Sequence, residues 1–145
     1  MIAREFVMIE KVAHIGIAVT DLEPVRRLYR EAMGLPVSEE EQNDELKWFF
    51  VPLGETALEF IASKTEEHVI ARFIRKQGQG VHHIALQVPD IEAALGDLKA
   101  KGIALVDERP RKGAHNSRIA FIHPKATQGV LIELVQPASA SEEGT

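Results

Sequence analysis

Four side chains that can bind a metal lie within apolar, strand-like segments of the sequence. They are His14, Glu59, His83 and Glu133. A single histidine or acid in a strand has ordinary structural explanations, such as a hydrogen bond or an ion pair. These four stand out because they occupy matching positions in two copies of one repeat. Two imidazoles and two carboxylates suit Co²⁺, Mn²⁺, Ni²⁺ or Zn²⁺, and coordination positions remain open for water or substrate. The pattern therefore predicts one catalytic metal site.

The repeat consists of Val12-Ala-His-Ile-Gly-Ile-Ala-Val-Thr-Asp-Leu22 and Val81-His-His-Ile-Ala-Leu-Gln-Val-Pro-Asp-Ile91. In each copy the histidine and small residues alternate with Ile, Val or Leu, as in a strand with one buried face. We expect the aliphatic face to pack against helices and the histidine face to line a cleft. By the same alternation, Glu59 and Glu133 point away from the aliphatic faces of their own strands.

Each copy is predicted to contain the elements strand, helix, strand, strand, strand. Helices are expected at 22–33 and 91–101. Their N-caps are Asp21 and Asp90, and the glycines that end them are Gly34 and Gly102. The later strands are expected at about 37–41, 47–52 and 57–61 in the first copy, and at 104–107, 118–123 and 130–135 in the second.

A chain of 145 residues is expected to form a single domain. It would comprise module one at about 11–62, a linking helix at about 65–76, module two at about 80–136 and a disordered tail at 137–145. The linking helix is predicted from a capping box formed by Ser63 and Glu66. An apolar stripe supports it: Val69, Ile70, Phe73 and Ile74. These elements predict an α+β fold with two βαβββ modules.

Composition limits the classes of function. Hydrophobic residues make up 45% of the chain and charged residues 27%, which is typical of a soluble globular protein. No apolar run is long enough to span a membrane, and the first residues lack the features of a signal peptide, so we expect a cytoplasmic protein. The absence of cysteine excludes thiolate ligands. A net charge of −5 argues against general binding of nucleic acid.

Beyond these patterns, the sequence resembles the vicinal oxygen chelate superfamily over about residues 11–136. Within it, four segments resemble the methylmalonyl-CoA epimerase family: Gly80-Val-His-His-Ile-Ala85, Asp107-Glu-Arg-Pro-Arg-Lys-Gly-Ala114, Arg118-Ile-Ala-Phe-Ile-His-Pro-Lys125 and Gly129-Val-Leu-Ile-Glu-Leu134. The resemblance implies that the two βαβββ modules form an open, barrel-like, metal-binding cup. It also implies metal ligation by His14, Glu59, His83 and Glu133, with Glu59 at a position where some members have glutamine.

The activity implied by the resemblance is that of an isomerase. A metal-dependent epimerase of this kind inverts the α-carbon of methylmalonyl-CoA by proton abstraction through a metal-stabilised enolate. Inversion normally needs two acid/base groups, one on each face of the carbon. Glu133 is the candidate for one face. Some members carry a glutamate on the strand that corresponds to 47–52, where this sequence has Lys47 and Trp48, so Glu45 is the substitute that the sequence offers.

The segment from Arg109 to Lys125 contains five basic residues and no acid. It is a candidate site for CoA phosphates or for the carboxylate of the substrate. The predicted substrate-binding residues are Arg111, Lys112, Arg118 and Lys125. Two histidines of the same segment, His115 and His123, are expected either to support the metal ligands or to be structural, rather than to be ligands themselves.

Other functions fit the same fold. A glyoxalase-type lyase acting on a hemithioacetal would need the same metal and proton transfer. A ring-cleaving dioxygenase would use Fe²⁺ on two histidines and one carboxylate, which leaves Glu59 as an unneeded fourth ligand. A non-catalytic small-molecule binding protein would have no use for all four ligands. The expected partners are an acyl-CoA substrate and a second copy in a homodimer, with no nucleic acid and no membrane.

Overall fold

The structure, a computed structural model, describes residues 8–139 and contains two compact units. The first unit is His14–His83, and the second comprises residues 8–13 together with 84–139. Most of the tail predicted to be disordered, residues 140–145, lies outside the described residues. Among the described residues, no helix is long and apolar enough to cross a membrane.

The first unit contains most of the first βαβββ module and the linking helix. Strand β1 spans Lys11–Ala18, helix α1 spans Leu22–Arg26 and continues as a π-helical turn over Arg27–Ala32, and the strands that follow are β2 (Glu41–Gln42), β3 (Leu46–Leu53) and β4 (Thr56–Ser63). Helix α2 spans Val69–Gln77. The strand order is β2-β3-β4-β1, with β4 parallel to β1 and the other pairs antiparallel.

Buried residues of β3, β4 and α1, together with Val19 directly after β1, form the main core of the first unit: Val19, Leu22, Phe49, Val51, Phe60 and Ala62. A smaller core forms where Ile70 of α2 packs against Ala18 and Ile61. By strand alternation, Ala18 shares a face with His14, and Ile61 shares a face with Glu59. Helix α2 therefore packs on the strand face that carries these two polar side chains.

The second unit contains most of the second module. Strand β5 spans Gly80–Gln87, helix α3 spans Ile91–Ala100, and the short strand β6 (Arg111–Lys112) precedes β7 (Arg118–Ile122) and β8 (Ile132–Gln136). The order is β5-β8-β7-β6, with β5 and β8 parallel. The core lies between α3 and the sheet and consists of Val88, Ile91, Ala94, Leu95, Ala120, Ile122 and Leu134.

The predicted α+β class and the βαβββ order of both modules are confirmed. Both helix caps are also confirmed, since a carboxylate oxygen of Asp21 accepts the backbone N–H of Glu23 and one of Asp90 accepts that of Ala93. Gly34 and Gly102, which follow the helices, have φ of 73° and 77°, in the left-handed region that glycine adopts readily.

The strands predicted at 37–41 and 104–107 are misplaced, for the same physical reason in both modules, and β2 shares only Glu41 with the first of them. A side-chain oxygen replaces the regular backbone partner: Ser38 Oγ accepts the N–H of Phe50, and Asp107 Oδ2 accepts the N–H of Phe121. Each segment runs beside its neighbouring strand without a regular ladder, and Leu105 makes only an isolated bridge to Ile122. The regular short strands form later, at β2 and β6.

The predicted start of the linking helix is also wrong. Ser63 is the last residue of β4, and its hydroxyl accepts the N–H of Thr65 in a local turn, so it cannot cap a helix. Helix α2 begins after His68, whose Nδ1 accepts the N–H of Ile70. The serine that was interpreted as the start of a capping box therefore stabilises a turn instead of a helix N-terminus.

Candidate metal centre

Three of the predicted ligands lie together in the first unit. Glu59 on β4 is the register partner of Gly16 on β1, and His14 lies two residues before Gly16 on the same face of the strand. His83 lies on β5 and is only 5% exposed. Neighbouring strands therefore bring His14 and Glu59 side by side, and His83 contacts both of them.

The ligand atoms of this trio point at one another. The distance from His14 Nε2 to His83 Nε2 is 3.2 Å. Glu59 Oε1 lies 3.3 Å from His14 Nε2 and 3.5 Å from His83 Nε2. All three side chains are mostly buried. The result is a compact, buried set of two imidazole nitrogens and one carboxylate oxygen, which we call the His/Glu cluster.

The spacing of the cluster fits three ligands of a single metal ion. Two donors at about 2.1 Å from one ion are about 3.0 Å apart at a right angle and about 3.4 Å apart at a tetrahedral angle. The three measured separations, 3.2, 3.3 and 3.5 Å, fall in or next to this range. The chemistry of the donors also suits a divalent transition metal, for which imidazole and carboxylate are common ligands. The cluster is therefore a possible His/Glu site for a divalent metal.

Gly16 makes room for the His83 ring. A Cβ added at Gly16 would lie 2.1 Å from His83 Cε1, 2.4 Å from Nδ1 and 2.6 Å from Nε2. No real side chain tolerates such distances, so the imidazole occupies the space that the missing Cβ leaves. The packing of the His83 ring therefore explains why the first copy of the repeat has glycine at position 16.

Aromatic and aliphatic side chains border the cluster on β3. Phe50 is the register partner of Glu59 and lies on the same face, and its ring is edge-on to His14 with centroids 5.8 Å apart. Trp48, the partner of Ile61, also lies on this face, and its buried Nε1 has no hydrogen-bond partner among the described residues. In the first unit, β3 thus presents aromatic rings rather than an acid beside Glu59.

Glu45 does not lie beside the cluster. It is exposed in the turn before β3, where its N–H donates to Asn43 and its carbonyl accepts the N–H of Lys64. It precedes Phe50, the residue opposite Glu59, by five strand positions, or about 17 Å at the usual rise per residue. This position argues against the predicted role of Glu45 in proton transfer.

Glu133, the fourth predicted ligand, lies in the second unit and is 5% exposed. On β8 it is the register partner of Ala85 of β5 and of Phe121 of β7. The arrangement repeats that of the first unit, where Glu59 lies between Gly16 and Phe50. Each module therefore places its acid beside the strand that carries the histidine and opposite a phenylalanine.

The four predicted substrate-binding residues are exposed, and two of them, Arg111 and Arg118, form ion pairs. Arg111 lies 3.4 Å from Asp107 and stacks over the ring of Phe121, while Lys112, its neighbour on β6, is exposed. Exposed ion pairs of this kind stabilise a protein by about 0 to 1 kcal/mol, so an anionic ligand can replace the acid at low cost.

Arg118 and Lys125 are placed at the two ends of the same strand region. Arg118 begins β7 and lies 3.2 Å from Glu92 on α3. Lys125 is exposed in a 3₁₀ turn whose N-cap is His123, so the expected structural role of His123 is confirmed by the hydrogen bond from the Lys125 N–H to its Nδ1.

The missed residue of the site region is His82. Its Nδ1 lies 3.0 Å from Nδ1 of His83. Neighbouring residues of a strand ordinarily point to opposite faces, so strand alternation predicts that the rings of His82 and His83 lie apart on opposite faces of β5. The signal that was available is the double histidine in Gly80-Val-His-His.

Comparisons with known proteins identify relatives of this chain. Residues 13–121 match the family model of the glyoxalase/bleomycin resistance protein/dioxygenase superfamily. The mitochondrial methylmalonyl-CoA epimerase of Homo sapiens is 40% identical over 126 residues, which cover 85% of this chain and 72% of that protein. The ethylmalonyl-CoA/methylmalonyl-CoA epimerase of Cereibacter sphaeroides is 36% identical over 133 residues, covering 89% and 99%. A solved methylmalonyl-CoA epimerase in complex with methylmalonyl-CoA and NH4+ superposes with a TM-score of 0.84 at 33% identity, covering 90% and 96%.

Proposed function

The chain belongs to the methylmalonyl-CoA epimerase family of the glyoxalase/bleomycin resistance protein/dioxygenase superfamily, and we propose that it interconverts the R and S forms of methylmalonyl-CoA. The observation that carries the proposal is the His/Glu cluster, whose three donor atoms have the mutual spacing of ligands around one ion. A proton on the carbon between a thioester and a carboxylate is removed only when the resulting negative charge is stabilised. The cluster is the place in the first unit where such stabilisation is available.

The proposed ligands are His14, Glu59, His83 and Glu133. Glu133 is included because its register partner, Ala85, follows His83 by two positions and so shares its face of β5. Co²⁺, Mn²⁺, Ni²⁺ and Zn²⁺ all suit this donor set. When bound, the metal would act as a Lewis acid that stabilises developing negative charge on the oxygens of the substrate. The protein contributes the buried position of the ligands and their fixed spacing.

Glu133 is the proposed acid/base group for one face of the α-carbon. Its carboxylate is buried on β8, and a buried acid beside the reacting carbon can take and return a proton. The second acid/base group does not come from the site-facing positions of β3, because Trp48 and Phe50 cannot exchange a proton there. Inversion therefore requires a proton donor from another element or a water molecule held by the protein.

The proposed contacts with CoA are made by Arg111, Lys112, Arg118 and Lys125. All four are exposed on the second unit, and each of the two arginines forms an ion pair, Arg111 with Asp107 and Arg118 with Glu92. Guanidinium and ammonium groups are the usual partners of phosphate, and the rest of the chain carries an excess of acid. The predicted homodimer and cytoplasmic location remain predictions.

The test is to follow methylmalonyl-CoA in deuterated water, with and without added Co²⁺. Two quantities are measured on the same sample: deuterium incorporation at C2 and inversion at C2. The proposal expects both, with rates that rise on addition of Co²⁺ and fall on chelation. Neither exchange nor inversion with any of the four metals would overturn it.

A glyoxalase-type lyase is the second candidate, and the observation that favours it is the absence of an acid on the site-facing side of β3. Moving a proton between neighbouring carbons can be done by a single base on one face, whereas inversion needs access to both faces. Deuterium exchange without inversion, together with faster turnover of a hemithioacetal than of any acyl-CoA, would support the lyase and exclude the epimerase.

A further inference from the structure

The imidazole of His83 has a different neighbour at each nitrogen. Its Nε2 faces the His/Glu cluster, 3.2 Å from His14 Nε2 and 3.5 Å from Glu59 Oε1. Its Nδ1 lies 3.0 Å from Nδ1 of His82, the preceding residue. The ring is buried, and Gly16 leaves no spare room on its other side, so both contacts are fixed by packing.

The two Nδ1 atoms restrict each other's protonation. A neutral imidazole has one nitrogen that donates and one that accepts, so in a hydrogen bond between the two rings one Nδ1 must carry the proton and the other must not. If His82 donates, the lone pair of His83 Nδ1 accepts that proton, and His83 carries its own proton on Nε2, which then has no lone pair for a metal in the cluster. If His83 donates, its Nε2 is free of a proton and its lone pair points into the cluster.

We propose that His82 is a positioning residue that accepts the Nδ1–H of His83 and thereby holds His83 Nε2 unprotonated toward the His/Glu cluster. This inference rests on the proposed metal site and extends it to a residue that binds neither metal nor substrate. Metal-binding histidines generally donate their second nitrogen to a fixed acceptor, which sets the tautomer and the orientation of the ring. Here the acceptor is another imidazole on the same strand.

The ring of His82 is itself held in place. Phe73 of α2 meets it edge-on, with ring centroids 5.0 Å apart and planes at 87°. An edge-to-face contact of this kind restrains the orientation of both rings. The linking helix therefore contributes to the site through His82, which gives α2 a role beyond joining the two modules.

The test compares the wild type with three variants. His82→Phe keeps a ring against Phe73 but removes the acceptor, and His82→Asn restores an acceptor oxygen without the imidazole. The matched control is His123→Phe, which changes an exposed histidine of the second unit. Thermal unfolding of each metal-free protein establishes that the fold is retained.

Two readouts separate positioning from a structural effect. The first is the dissociation constant of Co²⁺, measured by competition with a chelating dye. We expect His82→Phe to weaken binding by about 10- to 100-fold, and His82→Asn and His123→Phe to stay near wild type. The second is the ¹⁵N shift pattern of His83 in the metal-free protein at alkaline pH, which reports the tautomer directly. We expect the proton on Nδ1 in the wild type and a shift of population to Nε2 in His82→Phe.

The outcomes for this inference and for the proposed function are distinct. If the wild type binds Co²⁺ and His82→Phe binds it equally well, or if His83 of the wild type carries its proton on Nε2, the role of His82 is refuted while the metal site stands. If the wild type binds none of the four metals, the proposed site fails. The tautomer measurement on the wild type decides the role of His82 even if His82→Phe does not fold.

Discussion

Gly16→Ala tests whether His83 is a ligand by moving it without changing it. The added methyl group would lie 2.1 Å from His83 Cε1, whereas ordinary van der Waals contact begins at 3.4 Å. Either the imidazole or the β1 backbone must therefore move by 0.9 Å (3.0 − 2.1) to leave the range that Cβ atoms do not show, and by 1.3 Å (3.4 − 2.1) to reach ordinary contact. Because β1 is held in register by β4 through Gly16 and Glu59, the ring of His83 is the part that should yield.

The expected effect on metal binding is large. Ligand distances in such sites vary by only about 0.2 Å, so a displacement of this size removes His83 from the coordination sphere. Loss of a residue that merely orients a ligand weakens binding by about 10- to 100-fold. Loss of the ligand itself should then reach at least about 100-fold, or about 2.8 kcal/mol.

The assay is the dissociation constant of Co²⁺ or Zn²⁺, measured calorimetrically on protein that has first been treated with a chelator. Gly96→Ala is the matched control, because a Cβ at Gly96 of α3 meets nothing within 4 Å. That control should bind metal as the wild type does and gain about 0.5 to 1 kcal/mol of stability. Wild-type metal affinity in a folded Gly16→Ala protein would refute the assignment of His83 as a ligand.

Three further changes test other parts of the molecule. Glu133→Gln preserves size but removes charge and basicity, so turnover should fall by at least about 100-fold with the fold retained; wild-type turnover would exclude Glu133 as a base. Replacing Arg111 and Lys112 together by glutamine should raise KM for methylmalonyl-CoA several-fold, less so at high salt, and leave kcat nearly unchanged, because phosphates bind away from the reacting carbon. An unmoved KM at low salt would show that both residues are merely solvated. Asp90→Ala removes the acceptor that caps α3, so the free energy of unfolding should fall by about 1 kcal/mol and Tm by about 2 to 4 °C, and unchanged thermal unfolding would contradict the cap.

The sequence predicted the elements whose signals are local. Asp21 and Asp90 cap their helices as expected, since an aspartate before an apolar helix has a backbone N–H within reach whatever the tertiary structure. The short strands were misplaced because Ser38 and Asp107 accept hydrogen bonds from neighbouring strands through their side chains. Whether a side chain replaces the backbone as acceptor depends on which strand lies alongside, so no pattern within the sequence of either segment predicts it.

The candidate site was predictable as far as the repeat extends. His14, Glu59 and His83 were selected because they occupy matching positions in the two copies of the repeat, and the structure brings these three within 3.5 Å of one another. His82 was missed because strand alternation assigns it to the other face, whereas in the structure its Nδ1 lies 3.0 Å from that of His83 and its ring contacts Phe73.

A repeat can specify ligands more readily than it can specify the groups that move protons. Ligands surround one ion, so equivalent positions in two modules can both supply ligands to it. Each module does place an acid opposite a phenylalanine: Glu59 opposite Phe50, and Glu133 opposite Phe121. Inversion at carbon requires two groups with opposite tasks at any moment, one that removes a proton and one that supplies it. Such groups need not be equivalent by position. On β3 of the first module, the positions that face the site carry the rings of Phe50 and Trp48, so this strand supplies no second acid for inversion. The joint measurement of exchange and inversion at C2 therefore decides between the two proposed reactions.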